Sequence, residues 1–589
     1  MRLERFLDSV AQGALRDALS VEAPALLKKA QDPKHGDYQV NGLLPLAKRD
    51  KKNPRELAEP VAAKLRAHPA IASAEVAGPG FVNVALAPAF LATTLLEMLR
   101  DARLGVPLAD RTHRTVVDYS SPNIAKQMHV GHLRSTILGH AIVGLLRFVG
   151  DEVIGDNHVG DWGTQYGMLI AGLRRLQAEN AEVSFDIAGL ERIYKYASAL
   201  AKTDEAFAAA ARAELQKLQS GDAENRALWE RFVATTRAEL DRMYARLGIR
   251  FEAWHGESFY EPMLPGVIER LVKEGLARED AGALCIFFSD DVWDGVDAKL
   301  RRQKEPFIVR KKDGAFLYST TDIATALHRR DEVKATRAIY VVDRRQSQHF
   351  EQLFAVVRRL GVDMALEHVG FGTILGTDGT PLKTRDGDTI ALGALLDEAR
   401  ARTLEMMRAK QAERAEKDPE GEAPLPGPEL ERVAEAVGVG AVKYADLRQN
   451  RLSDYQFDWA KMIDLKGNSG PYIQYAAARA GSLLKKGGID GATFAPAAIE
   501  LAHPAERDLG LTLARFPDAV HAAADELLPH FVSDHCYAVA QKLSTFYEAC
   551  PVLKSEGVTR QSRLALVALA GRQLSKGLEL LGIESIERM

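Results

Sequence analysis

Cysteine is scarce in this chain: Cys285, Cys536 and Cys550 are the only three in 589 residues, far apart and without a C-x-x-C pair. That spacing argues against a disulfide framework and a zinc knuckle, and it fits a reducing compartment. No apolar run is long enough to span a bilayer. The first residues put Leu3, Phe6, Leu7 and Val10 on one helical face, but Glu4 and Asp8 are out of place in a mitochondrial presequence and a secretory apolar core is missing. A cytoplasmic location is expected. Charge of one sign is also lacking: the net charge of −4 demands no nucleic-acid partner, so any basic surface must be local. Internal repeats and the G-x-x-x-x-G-K-[ST] phosphate loop are absent too.

What is present is an ordinary globular composition and length for several cores, at roughly 150 residues per domain. Residues 1–107 combine helical segments with the strand pair "AIASAEVAGPGFVNVAL", turning at Gly78, Pro79 and Gly80, and read as a small α+β domain. Residues 108–400 carry the strand-like runs "RTVVDYS", "DEVIGDNHVG", "AIYVVD" and "HVGFGTIL" between helical stretches, the rhythm of a parallel α/β sheet with crossovers. A helical insertion over about 166–310 interrupts that rhythm. Residues 401–432 are charged and proline-rich, an exposed linker. Residues 433–589 read as a helix bundle.

The densest chemistry lies in "VVDYSSPNIAKQMHVGHLRSTILG", a strand ending near Tyr119, a turn over Ser120 to Asn123 and a helix from about Leu133. A helix that opens after such a loop points unpaired N–H groups and the positive end of its dipole beyond the strand, a ready anion site. Gly131 permits close approach of a ligand, and His129 and His132, three apart, can both donate to it. Taken alone, H-x-G-H favours ordinary loop and cap residues over phosphate-gripping donors, since four residues recur by chance.

The wider set decides. "SSPNIAKQMHVGH", then "HVGDWGTQYG", "GAFLYSTTDIATAL", "LKTRDGDT", "NSGPYIQYAAARAGSLL" and the terminal "LLGIESIERM" follow in order over essentially the whole chain. Together they resemble the arginyl-tRNA synthetases, a class I aminoacyl-tRNA synthetase family. Other class I synthetases, nucleotidyltransferases with the same histidine grip and noncatalytic RNA-binding relatives share only the first of these motifs. The resemblance implies a Rossmann-type catalytic domain with an insertion, an amino-terminal domain that meets the tRNA elbow and an all-α anticodon-binding bundle. It implies two steps, ATP-dependent activation of L-arginine to the adenylate and transfer to the terminal ribose of tRNA(Arg). Mg²⁺ would arrive with ATP, and neither zinc nor a tightly bound cofactor is expected. A monomer is expected as well.

Residue by residue, the resemblance places ATP at Lys126, His129, Gly131 and His132. "GTDGTPLKTRDGDT" departs from the usual KMSKS loop and leaves Lys383 and Arg385 as its cations, with Lys126 supplying part of the missing charge. Arginine would meet Asp118, Asn123, Tyr318, Asp322 and Gln346, a carboxylate facing the guanidinium as its bidentate partner. By residue type alone, Asp118 reads first as a strand-end turn residue and Asp322 as a helix N-terminal carboxylate; only together, within the matching motifs, do they read as arginine partners. tRNA would meet Tyr472, Tyr475 and Arg479, which helical spacing puts on one face, together with Met589 at the anticodon and Phe81 and Asn83 at the elbow.

Overall fold

The computed structural model describes residues 1–382, 390–417, 423–491 and 493–589, so Lys383 and Arg385 lie outside the described residues. The chain divides into two compact units, one of Arg111–Glu405 with Gln449–Trp459 and the other of Met1–Asp110, Met406–Arg448 and Ala460–Met589.

The first of these is built on a parallel sheet. Its strands are β1 (Arg114–Asp118), β2 (Glu152–Asp156), β3 (Arg337–Tyr340) and β4 (Ala365–His368), in spatial order β4-β3-β1-β2. Helix α1 (Val130–Val149) joins β1 to β2, α2 (Tyr318–Asp331) precedes β3, and α3 (Ser347–Arg359) joins β3 to β4. Thr115, Val116 and Val117 are all buried, as expected of a strand covered on both faces. Helix α1 lies flat on the end of β1: a Cβ on Gly139 would stand 2.3 Å from the Tyr119 ring. From β1 the chain moves outward to β2 and later returns to β1's other side as β3, so the strand order reverses between the carboxyl ends of β1 and β3. Open α/β sheets bind ligands at such a point.

Three expectations are corrected. The run "HVGFGTIL" is not the fourth strand, which is Ala365–His368. A Cβ on Gly372 would press on Asp454 Oδ1 at 2.5 Å and Ser453 O at 2.6 Å, so the backbone there serves close approach, and the chain resumes pairing as Ile374–Leu375 against Tyr455–Gln456. The insertion is helical only at first, as Thr164–Ala178, Ile187–Thr203, Glu205–Gln219, Ala223–Arg246 and Leu264–Lys273. It ends in a three-stranded antiparallel sheet, Arg278–Asp280, Ala283–Ile286 and Phe307–Arg310, whose Leu284, Ile286, Phe307 and Val309 join Phe288 and Trp293 in the core. The expected linker 401–432 begins inside the helix Leu392–Lys417, where ion pairs at helical spacing, Arg402–Glu398 and Lys417–Glu413, support a stretch with little apolar face.

The other unit joins segments expected as separate domains. Its antiparallel sheet runs Leu27–Lys29, Tyr38–Val40, Phe81–Leu86, Ile71–Ala77 in space, and the expected strand pair is the last two of these. Gly78 at φ 53° and Gly80 at φ 140° make the turn in backbone regions that suit glycine. The carboxyl-terminal part is helical as expected and includes α4 (Gly470–Lys486), α5 (His530–Ala549) and α6 (Gly557–Leu580), with Leu564 to Ala570 of α6 fully buried. The sheet is bound to the helices through buried Asp37, whose oxygens take a two-pronged bond from Arg507 at 2.9 and 2.6 Å.

Candidate functional site

Between β1 and α1 the chain crosses the switch point in a strained loop. Ser120, Ser121 and Ala125 have φ of 73°, 46° and 63°, a left-handed region that non-glycine residues enter at a cost of roughly 1–3 kcal/mol each. Buried hydrogen bonds hold them there. Ser120 N donates to Ser135 Oγ at 2.9 Å, Ser121 N to Asn157 Oδ1 at 3.1 Å, and Ala125 N to Thr236 Oγ1 at 3.0 Å. Thr236 and Tyr244, which bonds Ser120 Oγ at 2.7 Å, both belong to the Ala223–Arg246 helix, so the insertion braces the loop. Asn123, exposed, is fixed against Gly160 of the "HVGDWG" segment: a Cβ there would meet its Oδ1 at 2.3 Å.

His129 is the N-cap of α1, which therefore opens earlier than Leu133. His129 Nδ1 accepts from Gly131 N at 3.1 Å, His132 Nδ1 accepts from His129 N at 3.2 Å, and the ring centroids lie 3.9 Å apart. The H-x-G-H turn is thus a reciprocal helix cap. The histidines cap the helix through Nδ1, which forces the proton of each neutral ring onto Nε2. Burial, with His129 and then Lys126 adding to it, pushes His132 down to about 3. Burial, then Lys126, also lowers His129. Gly131 serves the ring rather than a ligand in this arrangement, since a Cβ would meet His129 Cε1 at 2.8 Å.

Lys126 is exposed, its Nζ 4.6 Å from the centre of the Tyr194 ring of the insertion. Beyond the undescribed segment with Lys383 and Arg385 the chain returns to the histidines, Val130 N donating to Ile390 O at 3.0 Å and Leu392 N to Met128 O at 2.8 Å.

Carboxylates gather across the switch point. Asp118 ends β1 opposite Asp156 and Tyr340. Its Oδ2 accepts from Arg329 Nη2 at 2.7 Å, and the same nitrogen donates to Asp156 Oδ2 at 2.9 Å, so a buried guanidinium of the chain itself already stands here. Burial alone would raise Asp156, but the hydrogen bond from His255 and the Arg329 charge hold it well below the usual carboxylate range. Asp322 is the fifth residue of α2, whose N-cap is Leu317, so it does not cap that helix. Its Oδ2 meets His349 Nε2 at 2.6 Å. Tyr318, 59% exposed, packs against His349 with centroids 5.0 Å apart and the rings tilted by 58°, and Gln346 stands exposed at the N-cap of α3. Burial pushes the Tyr340 hydroxyl up to about 12, Arg329 opposes, and Asp118 and Asp322 both add. Burial likewise pushes Glu257 up to about 7, with His158 opposing and Asp161 and Asp322 adding.

Sequence reasoning missed His349, Glu257 and Arg329. His349 had a signal, its helical spacing from Gln346. Glu257 had none, and Arg329 follows from Asp118 only once the strands are paired.

In the other unit, Tyr472, Tyr475 and Arg479 line one groove with Leu483 of α4 and with Leu543 and Tyr547 of α5. The Arg479 guanidinium sits 4.4 Å from the Tyr547 ring centre, Tyr472 lies 5.9 Å from Tyr537, and Tyr475 is 40% exposed. Phe81 and Asn83 occupy the half-exposed face of their strand, alternating with buried Val82 and Val84, and Gln39 Nε2 donates to Asn83 Oδ1 at 2.9 Å. Met589 ends a tail that Gln474 of α4 holds by donating to Glu584 O at 2.7 Å.

Comparison with known proteins gives three family models that tile the chain. Residues 94–459 match the catalytic domain of the class I (R) tRNA synthetases, residues 473–589 the DALR anticodon binding domain, and residues 5–86 the arginyl tRNA synthetase N terminal domain. The arginine–tRNA ligases of Hahella chejuensis and Laribacter hongkongensis are 43% identical over 596 residues and 44% over 597, covering all of both chains in each case. Among solved structures, the Plasmodium falciparum arginyl-tRNA synthetase superposes with a TM-score of 0.82 at 27% identity over 100% of this chain and 99% of that one. The Thermus thermophilus enzyme gives 0.79 at 26% over the whole of both.

Proposed function

The chain belongs to the arginyl-tRNA synthetase family, and from that premise we propose how its residues divide the work of an arginine–tRNA ligase. The observation that carries the reading is the neutral histidine pair: two Nε2–H donors, fixed in tautomer by their own helix cap, at the amino end of α1 beside a group of carboxylates.

When the arginine carboxylate attacks the α-phosphate of ATP, negative charge builds on the phosphate. His129 and His132 stabilise it by hydrogen bonds, the α1 terminus adds fixed dipoles, and Lys126, with Lys383 and Arg385, meets the leaving phosphates. Gly131 keeps the two rings together at the ATP site. Mg²⁺ enters as part of the ATP substrate, and the reading uses no zinc or other resident cofactor. The substrate guanidinium is met by Asp322 and Tyr318. Asp118 and Glu257 add negative potential behind them, while Asn123 and Gln346, both exposed at the rim, hold its amino-acid end. The acyl group then passes to the terminal ribose of tRNA(Arg), which Tyr472, Tyr475, Arg479 and Met589 hold at the anticodon and Phe81 and Asn83 at the elbow. The enzyme works as a cytoplasmic monomer: one chain carries the catalytic and both tRNA-facing parts, and its three cysteines are free and buried.

Charging of mixed tRNA with each standard amino acid in turn tests the substrate assignment. Arginine alone should be attached, and attachment of another amino acid in its place overturns the reading.

A further inference from the structure

The carboxylate of Asp322 is not left to find its own orientation. A short acidic side chain turns broadly about its last bond, yet here one oxygen is tied to His349 Nε2 at 2.6 Å. An ionised carboxylate only accepts, so Nε2 carries the hydrogen whatever the charge of the ring. The ring is itself held. Its side chain is 11% exposed, and the rings of Tyr318, Phe350 and Phe307 lie 5.0, 5.4 and 5.6 Å from it. Tyr318 and Asp322 are one helical turn apart on α2, and His349 reaches both from the first turn of α3.

We propose that His349 is a positioning residue for arginine recognition, locking Asp322 Oδ2 so that Oδ1 faces the guanidinium while its ring backs Tyr318. The proposal rests on the reading that Asp322 and Tyr318 meet the substrate. It changes that reading in one respect: the carboxylate presents one free oxygen and a remaining lone pair of the other, rather than both oxygens as an open fork. Fixing the acceptor before the substrate arrives removes an ordering cost from binding.

Steady-state aminoacylation by the full-length enzyme tests this with His349→Phe, which keeps the ring and deletes the donor. The KM for arginine should rise about tenfold or more, as expected for losing a hydrogen bond to a charged group, with kcat and the KM for ATP little changed. His349→Gln, whose amide reaches toward the same oxygen, should recover much of the loss, and His349→Asn, whose amide stops short, should not. In an Asp322→Asn background His349→Phe should add little, because the two act through one bond. An unchanged arginine KM in His349→Phe, with a raised one in Asp322→Asn, overturns the role of His349 and leaves Asp322 in place. An unchanged KM in Asp322→Asn removes the underlying site reading instead. Parallel rises in the KM for arginine and for ATP, with an earlier melting transition and no recovery in His349→Gln, show a packing residue and overturn the proposal.

Discussion

His132 is held neutral in the folded chain by burial, with His129 and Lys126 adding to it, and this fixes how the site responds to pH. With its pKa lowered to about 3, the folded chain binds fewer protons than the unfolded one between that value and about 6.5, so this group adds stability as pH rises through that window. Its donor state stays constant above it. His132→Ala should fold and still bind arginine, yet lose adenylate formation by on the order of a hundredfold or more, since the donor acts on charge that develops in the reaction. Pyrophosphate exchange at near-normal rate would remove it from the phosphate site. Glu257 behaves in the opposite way: held up to about 7 by burial, it is partly protonated at neutral pH, and a cation arriving nearby should ionise it. Arginine binding at pH 7 should therefore release protons, seen as a calorimetric enthalpy that depends on the ionisation heat of the buffer. Glu257→Gln should abolish that dependence, and a wild-type enthalpy independent of buffer places Glu257 away from the substrate. The histidines were legible in sequence because glycine and two histidines sit within one helical turn. The pairing of Asp118 with Arg329, and of Asp322 with His349, was not, because each forms only when separate elements pack.

At the level of elements, the strands β1 to β3 and helix α1 follow from sequence because apolar runs and a 3.6-residue period are local signals. The β segment ending the insertion was missed because Ala283–Ile286 and Phe307–Arg310 are too short to show a period of their own. That insertion braces the loop before α1 through Thr236, a buried residue of the Ala223–Arg246 helix whose hydroxyl oxygen accepts from Ala125 N. Thr236→Val keeps the shape and leaves that N–H unpaired in a strained loop, an effect of roughly 1–3 kcal/mol. The expected result is a slower activation step with only a modest loss of melting temperature, read by single-turnover adenylate formation; normal activation would show that the loop needs no brace. In α4 the residues of the aromatic stripe differ in exposure. Tyr475 is open to solvent while Tyr472 packs toward Tyr537, so Tyr475→Ala should weaken tRNA affinity by roughly 1–3 kcal/mol, the worth of one base stack, without early melting. If the variant melts much earlier and charges a tRNA of altered anticodon just as well as wild type, the stripe is structural.

Across the whole molecule, the union of the two chain ends was not readable from composition, because it rests on contacts between residues far apart in sequence, apolar ones such as Leu95 against Gly510 and polar ones such as Asp37 with Arg507. Besides Asp37 and Arg507, Asp518 receives Glu4 N on both carboxylate oxygens at 3.2 and 3.1 Å, ending the open terminus of the Leu3–Leu19 helix with a residue from far along the chain. Burial pushes Asp518 up to about 6, against the bond from Glu4. A carboxyl raised in the folded state binds protons more tightly there than in the unfolded chain. Its stabilising contribution is therefore full below about pH 4, is lost as pH rises through 6, and stays lost at neutral pH. Asp518→Asn keeps the volume and a carbonyl acceptor for Glu4 while removing the charge that burial opposes. It should stabilise this unit at pH 7.5 by roughly 1–3 kcal/mol, each pKa unit being worth about 1.4 kcal/mol, with the gain shrinking toward zero near pH 4. Asp37→Asn should do the reverse and lower the melting temperature, because it leaves the Arg507 guanidinium without its charged partner. Melting of the full chain and both variants at the two pH values decides the matter. An Asp518→Asn gain that is the same at pH 4 and pH 7.5 would mean that ionisation of Asp518 is not what burial opposes, and a loss at pH 7.5 would mean that charge at the Glu4 terminus outweighs burial.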